Sequence, residues 1–185
     1  MEDLTHEKKA LDFYLRHHKD EPAQAAALLL NDSEYQELLL PLFTPLSKEL
    51  TDWQNSTFTT NSKHPEQLSI KTSSGHFVRS KSEALIDMAL FSHRIPFRYE
   101  CALTLGNSTF YPDFTIRHPR TGQTYYWEHF GLMDNPSYCQ NVGSKLQQYS
   151  LNGIIPSIHL ITTYETSEHP LNSEIIEKII DYYFL

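Results

Sequence analysis

This chain of 185 residues has little cysteine, little glycine and no long apolar run. Its two cysteines, Cys101 and Cys139, are too few for a disulfide framework and are typical of a reducing compartment. The longest apolar run covers residues 25–30, whereas a membrane-spanning helix needs about 20 apolar residues. The N-terminus carries no apolar segment that resembles a signal peptide. We therefore expect a soluble, cytoplasmic protein with no membrane partner.

The chain also lacks an excess of positive charge. Its formal net charge is −8 at pH 7, which argues against tight, non-specific binding to nucleic acid. The charge is uneven, because residues 63–150 carry nine basic and seven acidic side chains, whereas residues 1–62 carry five and eleven. The middle of the chain is therefore the part best suited to contact phosphate.

The chain is nevertheless rich enough in apolar residues, at 39%, to bury a core. Its patterns predict two parts, which are a helical N-terminal region with its linker over residues 1–62 and an α/β domain over residues 63–185. The polar, turn-rich stretch at 54–64 is the predicted linker. The expected elements of the domain are helix 80–91, strands 97–105, 109–117 and 123–130, helix 137–151, strand 157–163 and helix 172–183. Short turns make the first three strands antiparallel, and helix 137–151 allows a crossover to a parallel fourth strand. The fold class is thus α/β, with a mixed (α+β) sheet and helices on both of its faces.

Two carboxylates are the most informative residues of the chain. Asp113 follows Pro112 on one predicted strand, and Glu128 lies in Trp-Glu-His on the next. If the turn at 118–122 joins these strands as a hairpin, Asp113 and Glu128 lie opposite each other with their Cβ atoms about 5 Å apart. Two carboxylates at this distance repel each other unless a proton or a cation lies between them. Hard cations such as Mg²⁺ accept this arrangement.

These residues resemble the PD-(D/E)XK superfamily of restriction-endonuclease-like nucleases. Pro112 and Asp113 match the first half of its motif, and Glu128 matches the acid of the second half. Glu83, in the preceding helix, matches an acidic position that many members use as a further ligand. The resemblance covers residues ~78–165 and implies a core of helix, three antiparallel strands, helix and parallel strand.

The chain departs from this motif at the lysine, which is replaced by Phe130. In some members the lysine lies on the following helix, where Lys145 is the only basic residue between Arg120 and Lys178. Lys145 and Tyr149 are four residues apart and so share one helix face, which resembles a variant of the Gln-x-x-x-Tyr element of RecB-like nucleases. Lys81 is a weaker candidate for the same role.

The resemblance implies metal-dependent hydrolysis of phosphodiester bonds in nucleic acid, with DNA as the expected substrate. Asp113, Glu128 and the main-chain carbonyl of His129 would hold Mg²⁺ or Mn²⁺, with Glu83 nearby and Lys145 as the catalytic lysine. The residues expected to contact the nucleic acid are Tyr149, Lys81, Arg79, Arg98 and Arg120.

Several alternatives stay open at this point. Lys145 could be an ordinary solvated lysine, Tyr149 a core tyrosine, and the side chain of His129 structural. The protein could also be a catalytically inactive module of the same fold that binds nucleic acid or a protein. In a third hypothesis, helices within residues 1–50 recruit a protein partner.

Overall fold

The computed structural model of this chain describes residues 48–106 and 108–185. The helices are α1 (Lys48–Asn55), α2 (Lys81–Ser92), α3 (Pro136–Leu151) and α4 (Ser173–Phe184). The strands are β1 (Ile70–Lys71), β2 (Phe77–Val78), β3 (Phe97–Tyr99), β4 (Leu103–Leu105), β5 (Ser108–Phe110), β6 (Phe114–Arg117), β7 (Thr124–Phe130) and β8 (Leu160–Tyr164). The helices predicted before residue 48, and the protein partner expected to bind them, lie outside the described residues.

The main sheet has four strands in the order β3-β6-β7-β8. β6 is antiparallel to both β3 and β7, whereas β7 and β8 are parallel. Helix α3 makes the crossover between the two parallel strands. The predicted mixed α/β architecture is therefore confirmed.

The two faces of this sheet bury different cores. On one face, Trp127 is fully buried against residues of α2 and α4, including Ile86, Leu90, Ile176 and Ile180. On the other face, Tyr126 packs in a smaller cluster with Tyr149 of α3. Because side chains alternate along a strand, Glu128 lies on the same face as Tyr126, toward α3.

Helix α2 begins as the sequence predicts. The Ser80 side chain accepts a hydrogen bond from the Glu83 main-chain N–H at 3.1 Å, which is one half of a capping box. This contact fixes the first turn of α2, from which Glu83 projects.

Two of the predicted strands are each split into two. Strand 97–105 is interrupted after Tyr99, where Glu100 has a positive φ of 45°. Strand 109–117 is interrupted at Pro112, which has no N–H to donate to a neighbouring strand. The outer pieces, β4 and β5, form a separate two-stranded sheet. The break leaves Asp113 directly before Phe114, the first residue of β6.

The predicted linker is in contact with the sheet. The guanidinium group of Arg98, on β3, lies over the rings of Trp53 and Phe58, 4.5 and 4.6 Å from their centroids. It also donates hydrogen bonds to the Trp53 carbonyl and to Ser56 Oγ. Residues 53–58 therefore pack on the domain.

Within the described ranges, none of the helices has both the length and the apolar character needed to cross a membrane.

Candidate functional site

The hairpin β6–β7 brings Asp113 and Glu128 together. Phe114 pairs with Trp127 and Arg117 with Thr124, which is the register that places Asp113 opposite Glu128. Asp113 Oδ2 accepts a hydrogen bond from the main-chain N–H of His129 at 2.7 Å. Glu128 is 1% exposed. The register predicted from the turn is confirmed, and both carboxylates face α3.

Helix α3 supplies two polar groups to Glu128. Lys145 Nζ lies 2.7 Å from Glu128 Oε2, and Tyr149 Oη donates a hydrogen bond to Glu128 Oε1 at 2.5 Å. These residues are one helical turn apart, so both side chains reach the sheet from the same helix face. Lys145 is therefore not an ordinary solvated lysine, because its ammonium group pairs with the buried carboxylate of Glu128.

The site holds more negative than positive charge. Burial raises the pKa of Asp113 well above its usual range, and the charges of Glu128 and Glu83 raise it further. Burial also raises the pKa of Glu128, although Lys145 and Tyr149 oppose this effect. Burial lowers the pKa of Lys145, but the attraction of Glu128 and Asp113 outweighs it, so that the net shift is upward. One lysine thus faces carboxylates that its charge only partly neutralises.

Glu83 is close enough to influence both carboxylates but is itself engaged elsewhere. Its Oε2 accepts hydrogen bonds from Tyr99 Oη at 2.5 Å and from the Arg79 main-chain N–H at 3.1 Å. Its Oε1 accepts a hydrogen bond from Ser80 Oγ at 2.8 Å. The contacts of Glu83 are therefore those of a helix cap, because this carboxylate stabilises the first turn of α2. Its predicted role as an additional metal ligand stays a prediction.

His129 contributes its main chain to the site and its side chain to the opposite face. Its ring Nδ1 lies 3.0 Å from Thr163 Oγ1, and its Nε2 lies 3.2 Å from Glu165 Oε1. Because the N–H and C=O of one strand residue point to the same side, the His129 carbonyl is directed toward the Asp113 side of β7. The interpretation of the side chain as structural agrees with these contacts.

The arginines predicted to bind nucleic acid are occupied within the protein. Arg79 pairs with Glu100 at 2.7 Å and donates to the carbonyls of Lys63 and His64. Arg98 is held by Trp53, as described above. Arg120 lies in the turn at the far end of the hairpin from Asp113 and donates to the main-chain carbonyl of Leu185. The structure does not bring these arginines together at the carboxylates. Each one instead donates hydrogen bonds to acceptors within the protein, and the sequence alone does not identify these acceptors.

The other two predicted contacts differ from each other. Tyr149 is fully buried and donates to Glu128, so it is not positioned to meet a phosphate group. Lys81 is exposed in the first turn of α2, two residues before Glu83. Of the five predicted contacts, Lys81 and Arg120 are exposed, and Arg120 lies at the far end of the hairpin.

Tyr138 is a site residue that the sequence analysis missed. It lies on α3 seven residues before Lys145, which is two helical turns. Burial raises its pKa and a hydrogen bond with the main chain of Gly131 lowers it, while the charges of Asp113 and Glu128 raise it and that of Lys145 lowers it. The spacing of residues 138, 145 and 149 on one helix face was the signal for it.

The donor set fits a hard divalent cation. The described residues, 48–106 and 108–185, contain no group of three or more His, Cys, Asp and Glu side chains arranged to hold a metal. The predicted set is different, since it has two carboxylates and one main-chain oxygen. Carboxylate oxygens keep a lone pair after accepting one hydrogen bond, so Asp113 and Glu128 retain the capacity to bind a cation. The raised pKa of Asp113 favours a proton between the two carboxylates, and such a cation would take the place of that proton.

No protein-family model, curated protein or solved structure matches this chain. The interpretation of the site therefore depends on its own geometry and chemistry.

Proposed function

We propose that this protein is a metal-dependent nuclease of the PD-(D/E)XK type, with a restriction-endonuclease-like core, that hydrolyses phosphodiester bonds in DNA. The observation that carries the proposal is the contact between Lys145 and Glu128 beside Asp113. Asp113 lies just before β6, Glu128 on β7 and Lys145 on α3, and they are the residue types that the family motif requires. The main-sheet order and the position of Asp113 directly before β6 support the same assignment.

In this proposal Asp113, Glu128 and the His129 carbonyl would hold Mg²⁺ or Mn²⁺. When bound, such a cation polarises a phosphoryl oxygen and lowers the pKa of a coordinated water. The protein's own groups fix the carboxylates, since the His129 N–H binds Asp113 and the Tyr149 hydroxyl binds Glu128. Lys145 keeps a positive charge beside the position where phosphoryl charge develops, which stabilises the transition state.

One observation favours a second candidate, a catalytically inactive module that binds nucleic acid or a protein. Both oxygens of Glu128 accept hydrogen bonds from α3, so the ion pair with Lys145 is satisfied without a ligand. In this case the carboxylates would be a structural link between β7 and α3. The two candidates differ in whether Asp113 is needed for any chemistry.

The experiment that tests the proposal is a cleavage assay on plasmid and single-stranded DNA with Mg²⁺, Mn²⁺ or EDTA. We expect the wild type to cleave DNA with either metal and not with EDTA, and Asp113→Asn to be inactive. Asp181→Asn is the matched control, because Asp181 is an exposed carboxylate on α4. If Asp113→Asn cleaves DNA as well as Asp181→Asn does, the assignment is refuted. If the wild type and both variants all fail to cleave DNA, the binding module is favoured.

A further inference from the structure

Two aromatic rings lie beside the candidate site at the edge of the main sheet. Phe130, which occupies the position of the motif lysine, pairs across the β7–β8 ladder with Tyr164. Their rings are stacked, with centroids 5.5 Å apart and an interplanar angle of 28°. Phe130 is buried, whereas 49% of Tyr164 is exposed. The pair therefore covers one face of the Tyr164 ring and leaves much of the residue accessible.

The register places this exposed ring close to the carboxylates. Glu128 pairs with Thr162, and Tyr164 follows two residues later, about 7 Å along the strand. Because side chains two residues apart share a face, Tyr164 lies on the same face as Glu128. β8 is the edge strand of the sheet, so a ligand strand can approach this ring from the side.

The ring of Tyr164 is also held in place before any ligand binds. Its hydroxyl donates a hydrogen bond to Thr162 Oγ1 at 2.9 Å. Together with the stacking on Phe130, this bond fixes the orientation of the ring along the sheet. A fixed aromatic ring loses little conformational entropy when a flat group stacks on it.

The charge of the protein argues against recognition through many phosphates. Residues 48–185 contain eleven Lys and Arg against fourteen Asp and Glu, and Arg79, Arg98 and Arg120 are bound internally. Binding to a duplex is driven largely by phosphate contacts from basic side chains. Binding to a single strand can also use stacking of bases on aromatic rings, which only unpaired bases can offer.

We infer that Tyr164, stacked on Phe130, is a platform for an unpaired base, so that the preferred ligand of this site is single-stranded DNA. The inference rests on the proposed function in so far as that function brings DNA to Asp113 and Glu128. It goes further, because it names the form of DNA and the side chain that recognises it. The base stacks on the exposed face of Tyr164, and the strand then continues toward the carboxylates.

The test measures binding rather than cleavage. Fluorescence anisotropy with the full chain in EDTA compares a labelled 15-nucleotide single strand with the blunt duplex of the same sequence. Tyr164→Leu removes the flat ring but keeps an apolar cover over Phe130, and Tyr164→Phe keeps the ring but loses the hydroxyl. Tyr182→Leu is the matched control, because Tyr182 is 81% exposed on α4.

We expect the wild type to bind the single strand more tightly than the duplex. Tyr164→Leu should weaken single-strand binding about tenfold, the scale of one base stacked on an aromatic ring. Tyr164→Phe keeps the ring but loses the bond that orients it, so it should weaken binding by only about twofold, and Tyr182→Leu should bind like the wild type. A 2-aminopurine base in the strand should be quenched by the wild type and by Tyr164→Phe but less by Tyr164→Leu. Thermal melting of each variant checks that it is folded.

Three results would overturn the inference: equal affinity for both DNA forms, no measurable binding of the single strand, or unchanged binding by Tyr164→Leu. The cleavage assay above separates this failure from failure of the proposed function. Cleavage by a wild type that binds independently of Tyr164 refutes only the platform. Tyr164-dependent binding without cleavage supports the platform and refutes the nuclease.

Discussion

Lys145 Nζ lies 2.7 Å from Glu128 Oε2, although seventeen residues separate them in the chain. Glu128 is almost fully buried, whereas a third of the Lys145 side chain is exposed. Removing one partner of a buried ion pair leaves an uncompensated charge, which destabilises a protein more than the pair had stabilised it. This pair therefore links the chemistry of the site to the stability of the fold.

We predict that Lys145→Met abolishes cleavage and lowers the free energy of unfolding by about 2–3 kcal/mol. This is below the usual range for fully buried pairs, because water partly screens the lysine. Urea unfolding gives the stability, and the assay on plasmid DNA gives the activity. The double variant Glu128→Gln/Lys145→Met should recover part of the stability but no cleavage. If the two single losses of stability simply add, the residues do not interact and the prediction is wrong.

The raised pKa of Asp113 predicts that the free energy of unfolding depends on pH. Because burial and the neighbouring carboxylates raise this pKa, the folded chain binds a proton at Asp113 more tightly than the unfolded chain, whose aspartate has a pKa of about 3.9. Stability linked to this group is therefore highest at low pH and decreases as the pH rises from about 4 through the raised pKa. Asp113→Asn removes this dependence, while its side-chain carbonyl can still accept the hydrogen bond from His129.

Urea unfolding at several values between pH 5 and pH 8 checks this expectation. The stability of Asp113→Asn relative to the wild type should rise with pH, and Mg²⁺ should reduce the difference by stabilising the wild type alone. Asp181→Asn should run parallel to the wild type at every pH. A relative stability of Asp113→Asn that falls with pH would show that the carboxylate is stabilising when charged.

Tyr149 offers a separate test of how Glu128 is held. Its hydroxyl is fully buried and binds a carboxylate, so Tyr149→Phe should cost about 1.5–3 kcal/mol of unfolding free energy. Tyr183→Phe is the matched control, since the Tyr183 hydroxyl binds the Ser157 carbonyl at 3.2 Å near the surface and should cost less than about 1 kcal/mol. Equal losses for the two variants would mean that the buried hydrogen bond to Glu128 contributes no more to stability than the surface hydrogen bond of Tyr183.

The hairpin of the site could be predicted from local chemistry. The turn at 118–122 fixes the register of β6 and β7, and side-chain alternation then determines which residues share a face. The four-residue spacing of Lys145 and Tyr149 fixed their common helix face in the same way. These inferences need only the geometry of one element or of two adjacent ones.

The surroundings of the site could not be predicted in this way. Arg98 is bound by Trp53, 45 residues earlier, directly before the segment 54–64, whose polar composition is typical of a linker. The break after β3 depends on a positive φ at Glu100, a residue type that rarely adopts it. Both features depend on tertiary contacts, so the sequence suggested free arginines and a longer strand.

Arg98 provides the last prediction, which separates a structural arginine from a phosphate contact. Arg98→Met removes the hydrogen bonds to Trp53 and Ser56 and the contacts with two aromatic rings, so it should lower the unfolding free energy by about 2–3 kcal/mol. Because Arg98 is 9% exposed, the salt dependence of DNA binding should stay unchanged. Lys81→Met should do the reverse, with nearly normal stability and a salt slope reduced by about one. Anisotropy titrations at several salt concentrations measure this slope, and a reduced slope for Arg98→Met would mean that this arginine leaves its internal partners to bind phosphate.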